Sequence, residues 1–103
     1  MATTNTNDIS YTNIAHIYAQ ATVTGTASTL STLGVTIPSW AIMAYITPET
    51  GAVRYRCDGT NPTAAIGQPI ANGQTWPVVG QLSLQALKLI AAANTTISIE
   101  FRG

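Results

Sequence analysis

Charge, histidine and cysteine are all scarce in this sequence, and each shortage removes a class of function. Only 8% of the 103 residues are charged, four basic against four acidic, for a formal net charge of zero. Soluble domains carry about 25%, so the surface must be built from Thr, Ser, Asn, Gln and Gly. A phosphate-binding face needs several Lys or Arg together to release counterions. Arg54, Arg56, Lys88 and Arg102 do not supply one, so nucleic acid is a poor partner. Cys57 is the only cysteine, which excludes a scaffold stapled by intramolecular disulfides. His16 is the only histidine. A nucleophilic dyad would need it beside Cys57 or a serine, with a third group orienting the ring, and nothing in the spacing argues for that. One His, one Cys and four scattered carboxylates give no zinc spacing. The Asp58-Gly59-Thr60 stretch lacks the clustered acids of a calcium loop. Asp8, Glu49, Asp58 and Glu100 all fall in or beside turns, termini or outward strand positions, where no pair faces a cleft. No Gly-rich phosphate loop precedes a helix. The expectation is therefore a protein with no catalytic residues, no metal and no cofactor.

Long hydrophobic runs are absent as well. No stretch approaches the roughly 20 apolar residues of a helical membrane span. The first residues, Met1 to Asp8, have neither a basic nor an apolar signal-peptide region. Synthesis in the cytoplasm without membrane insertion is expected. What the chain does have is apolar content, 46%, too much for a disordered chain and enough for one core in a single domain. A neutral, weakly charged surface offers little electrostatic resistance to self-association.

Periodicity points to strands. Residues 1–8 read as a polar N-terminal arm and residues 9–103 as one domain. From Ile9 to Val23 both a helical stripe and a strand face can be drawn, and the β-branched and aromatic content favours a strand. Leu33, Val35 and Ile37 alternate with Gly34 and Thr36 and predict a strand ending at Pro38. Trp40 to Ile46, nearly all apolar, reads as a strand buried on both faces, with Trp40 in the core. Thr47-Pro48-Glu49-Thr50-Gly51 is turn chemistry, and Ala52 to Cys57 alternates cleanly with Val53, Tyr55 and Cys57 inward. Together they predict a hairpin. A second turn follows at Asp58-Gly59-Thr60-Asn61-Pro62-Thr63, where the Asp58 carboxylate is expected to accept backbone N–H groups. Trp76-Pro77-Val78-Val79 reads as an edge strand, because proline interrupts a ladder. Leu82 to Ala93 fits either helix or strand, and Thr96 to Arg102 alternates strictly, with Ile97, Ile99 and Phe101 inward. About eight short antiparallel strands with turns between them describe an all-β fold, a compact β-sandwich of jelly-roll type.

The stretch from Gly34 to Ile70 resembles a group of small tailed-bacteriophage virion proteins. Their pattern is an apolar strand ending in Pro, an Ala-rich strand, an Arg-Tyr-x-x-Asp-Gly-Thr-x-Pro-Thr turn and a Gly-x-Pro-Leu/Ile step. Here the turn runs from Arg54 to Thr63, with Asp58, Gly59, Thr60 and Pro62 as its structural residues, and the step is Gly67-Gln68-Pro69-Ile70. Leu84 to Ala91 and Thr96 to Arg102 fit the ending of that group. This favours a strand over a helix there, with Leu87–Ala91 paired to the final segment as a hairpin through Ala92-Ala93-Asn94-Thr95. The likeness spans roughly residues 30–102, and a similar turn occurs in β-sandwich modules attached to glycosidases. It implies a virion structural protein, a capsid decoration or cement protein. The expected partners are its own copies, with a trimer favoured, and the major capsid protein or other virion proteins. A tail or head–tail connector component and a carbohydrate-binding or adhesion module are the alternatives. Tyr11, Tyr18, Trp76 and Pro77 are the candidate interface residues, since aromatics are enriched at interface cores.

Overall fold

The computed structural model describes residues 16–103. Tyr11, the polar arm and the first half of the Ile9–Val23 segment lie outside the described residues. Eight strands and one short helix follow in order: β1 (His16–Val23), β2 (Ser28–Thr29), β3 (Met43–Pro48), β4 (Val53–Arg56), β5 (Gln68–Ile70), β6 (Trp76–Val79), α1 (Gln81–Ala86), β7 (Lys88–Ile90) and β8 (Thr95–Arg102). They form two four-stranded antiparallel sheets, ordered β1-β8-β3-β6 and β2-β7-β4-β5. The pairs β1·β8, β2·β7, β3·β6 and β4·β5 nest inside one another like a single long hairpin, and β3·β8 and β4·β7 join them into sheets. Folding such a hairpin over itself is the jelly roll.

Side-chain alternation explains why these segments are strands. In β8, Thr95, Ile97, Ile99 and Phe101 are buried and their neighbours half-buried. In β3, Ala44, Ile46 and Pro48 point inward. Ala21 and Val23 of β1, Val53 of β4, Ile70 of β5, Val78 of β6 and Leu89 of β7 complete the core from both sheets, with Leu30, Val35, Leu84 and Leu87 sealing it from the connections. β6 lies at a sheet edge and carries Pro77, as its proline predicts.

Four expectations need correction. The strand expected through Leu33, Val35 and Ile37 to Pro38 does not form, and only Ser28–Thr29 of that region is strand. The Thr29 hydroxyl accepts the Thr32 amide at 3.2 Å, the Thr29 carbonyl accepts the Leu33 amide at 3.0 Å, and Gly34 closes the turn on the Ser31 carbonyl. Local hydroxyl bonding has outcompeted the ladder. Next, β3 is buried on one face, not two, and Trp40 stands before it, 39% exposed. Third, β3 and β4 are not a hairpin, because they belong to different sheets. Their link turns a corner of the sandwich, where the Glu49 amide donates to the Thr96 carbonyl (2.8 Å) and the Thr96 amide to the Thr50 hydroxyl (2.9 Å). Last, Leu84–Ala91 is neither one strand nor half of a hairpin with β8. It divides into the end of α1 and β7, which pairs with β4 and β2.

Candidate functional site

The strand registers assign every connection to one of two ends of the sandwich. Met43 lies opposite both Val79 and Arg102, His16 opposite Arg102, and Arg56 opposite Lys88. The start of β1, the residues before β3, the β4–β5 loop and α1 therefore share one end. Backbone bonds tie it together: Gly80 donates to Ile42 at 2.7 Å and Ile42 to Arg102 at 2.8 Å. The Gln81 side-chain amide donates to the carbonyls of Pro38 (2.8 Å) and Ala41 (2.7 Å).

Eight large apolar or aromatic side chains are exposed among the described residues, and six belong to this end: Ile17, Trp40, Ile42, Ile66, Val79 and Leu82. Leu82 is 83% exposed, Val79 65%, Ile42 59% and Ile66 58%. Single exposed apolar residues are ordinary, whereas a concentration of them marks an interaction surface. Ile66 and Val79 also line an open groove of about 770 Å³ between the two sheets, walled by Tyr55, Cys57 and Gln68 on one side and Pro77 and Val78 on the other.

Arg56 and Asp58 line the same groove. Asp58 accepts the Thr60 amide at 3.2 Å and two Arg56 nitrogens, Nε at 3.0 Å and Nη2, so its carboxylate fixes the turn. The Arg56 hydrogen bond, then the Thr60 amide, hold the Asp58 carboxyl below its ordinary range. Gly59 has φ +82°, in the left-handed region that glycine adopts freely. Pro62 is buried. Burial, followed by the Asp58 charge, pushes the Cys57 thiol up, which keeps it protonated and a weak nucleophile at neutral pH. His16 is on β1, at the edge of its sheet opposite β6, and does not line the groove.

A second concavity, of about 450 Å³, lies on the outer face of the β1-β8-β3-β6 sheet and is lined by Tyr18, Tyr45, Thr47, Thr75, Ser98, Glu100 and Arg102. Glu100 accepts Arg102 Nη2 at 2.9 Å and Nε at 3.2 Å, and these bonds, chiefly, hold its carboxyl below the ordinary range. His16 Nδ1 stands 3.5 Å from the other Glu100 oxygen.

No family model, curated protein or solved structure matches this chain.

Of the candidate interface residues, Tyr18 lies in the outer-face concavity, 62% exposed. Pro77 lines the groove and Trp76 opens β6, 40% exposed. The structure does not bring these three into one patch. Sequence patterning does not single out Ile42, Ile66, Val79 or Leu82, because exposure at the end of a sandwich leaves no periodic trace. Tyr45 is hidden in the sequence within a run that reads as buried on both faces. Its alternation with Ala44 and Ile46 is the signal that places it outward.

Proposed function

We propose that this chain is a structural protein of a tailed-bacteriophage virion, a capsid decoration or cement protein that binds its own copies, as a trimer, and the major capsid protein. The observation that carries the reading is the gathering of exposed apolar side chains at one end of the jelly roll. Covering that end with protein removes Ile42, Val79 and Leu82 from water, and apolar burial is the dominant favourable term in association. The resemblance of residues 30–102 to small virion proteins supplies the setting. In a cement protein, many modest contacts to neighbouring capsid subunits add through avidity, so no single contact has to be strong.

The test has two parts. Light scattering of the purified protein is expected to give a trimer mass, and mass spectrometry of purified phage particles is expected to find the chain at high copy number. Immunogold labelling on heads supports the decoration role, while labelling confined to tails or the neck moves the protein to a tail or connector position. A monomer at all concentrations that is missing from the particles removes the proposal.

A further inference from the structure

We infer that the outer-face concavity of the β1-β8-β3-β6 sheet is a saccharide-binding site, in which Tyr18 and Tyr45 flank the sugar and Glu100 and Arg102 bond its hydroxyls. The register builds it. Tyr18 of β1, Glu100 of β8 and Tyr45 of β3 stand in one row across three adjacent strands. Neighbouring strands are about 4.8 Å apart, so the two tyrosines begin roughly 10 Å from each other with a carboxylate between them. The next row is Ser98 of β8 and Thr47 of β3, extended by Thr75. Thr47 and Thr75 hydroxyls are 2.8 Å apart, and the Tyr18 hydroxyl is 3.0 Å from Ser98 Oγ. The Arg102 guanidinium lies 4.8 Å from the Tyr45 ring centre, and its bonds to Glu100 hold both groups in fixed directions.

The chemistry of this lining selects its ligand. The exposed Tyr18 ring offers flat apolar surface to the C–H face of a pyranose, while Tyr45, one face of which carries the Arg102 guanidinium, bounds the other side, and the polar edge of a tyrosine tolerates water. A carboxylate accepts and a guanidinium donates, so a paired Glu and Arg meet adjacent sugar hydroxyls, each of which can do both. The hydroxyls of Thr47, Thr75 and Ser98 extend the same pattern. A phosphate ligand fits poorly, because Arg102, the one cation among the described residues of the lining, is already paired with Glu100. The volume is within the range of small-ligand sites, which run about 300–1,000 Å³. This inference is independent of the virion role, since it uses the sheet face and not the apolar end.

The experiment is an NMR titration of the whole protein with glucose, galactose, mannose, N-acetylglucosamine, lactose and maltose, with inorganic phosphate as a separate arm. At least one saccharide is expected to shift the amides of Tyr18, Tyr45, Ser98 and Glu100. Tyr18→Ala and Glu100→Gln should each weaken that saccharide by about tenfold, while Leu82→Glu, at the other surface, leaves it unchanged. The two variants are at exposed or half-buried positions, and retained amide dispersion shows that they fold. No shift with any sugar at millimolar concentration overturns the inference. So do shifts with phosphate alone, binding indifferent to both variants, or a change of oligomeric mass in place of sugar affinity. Failure of the virion proposal is read separately, in the Leu82→Glu mass and the particle composition.

Discussion

At Asp58, one carboxylate joins a turn to a strand, since it accepts from Thr60 within the turn and from Arg56 at the end of β4. Its folded pKa is lowered, first by the Arg56 bond, and Glu100 is lowered in the same way by Arg102. A lowered carboxyl stabilises the fold above its unfolded value, about 3.9 for Asp and 4.3 for Glu. That contribution is lost as pH falls through the folded pKa. Asp58→Asn keeps an acceptor for Thr60 but removes the charge. Thermal melts are expected to show a slightly lower Tm at neutral pH and a smaller loss on acidification than in the parent, the effect being modest because the pair is exposed. An unchanged acid limb would show that Asp58 contributes nothing through its charge. Gly80 makes a different residue-scale prediction. Its φ is +98°, and a Cβ there would meet nothing within 4 Å. Gly80→Ala should therefore cost about 1–3 kcal/mol from backbone strain alone, read by urea unfolding. Full stability in that variant would mean that the loop relaxes at no cost.

Among the elements, β8 bears the most on stability. It is paired on both sides, to β1 and β3, and Ile97, Ile99 and Phe101 are fully buried. Ile99→Ala is expected to cost about 2–5 kcal/mol, whereas Ile17→Ala, at an exposed position on the edge strand β1, should stay within about 0.5 kcal/mol. Equal losses in denaturant melts would contradict this division of the sheet. The strict alternation of Thr96 to Arg102 makes β8 legible in the sequence, as Pro77 does for the edge strand and Asp58-Gly59 for the turn. What patterning does not supply is partnership. A link of four or five residues serves a hairpin and a sandwich corner equally well, and the inward faces of β3 and β4 look the same in either case. α1 is obscured for a related reason: Leu84 and Leu87 reach the core from a helix and its exit with the same apolar signature as a strand. Of the two surfaces, Glu100 and Arg102 are readable as outward residues and Tyr18 as a contact residue, but only the register brings Tyr45 beside them.

For the whole molecule, the side chains proposed for self-association are apolar, and the charges at the same end are satisfied within the fold, Arg56 by Asp58, Arg102 by Glu100 and Lys88 by Asn61, which fixes how assembly should respond to conditions. Attraction between charges is screened over about 8–10 Å at physiological salt, so an interface held by ion pairs weakens as salt rises. An interface built on Ile42, Val79 and Leu82 has little to screen. Its driving force is the removal of apolar surface from water, which weakens on cooling. The association constant of the proposed trimer is therefore expected to vary by about twofold or less between roughly 0.05 and 0.5 M salt, and to fall as temperature drops. Val79→Glu introduces a charge that must lose its water on assembly, and it should convert the trimer to monomers without lowering Tm by more than the small amount usual for an exposed site. Sedimentation velocity across salt and temperature, with a thermal melt of the variant, measures all three. A trimer that dissociates in salt and tolerates Val79→Glu would move the contact off these apolar side chains and onto charged groups.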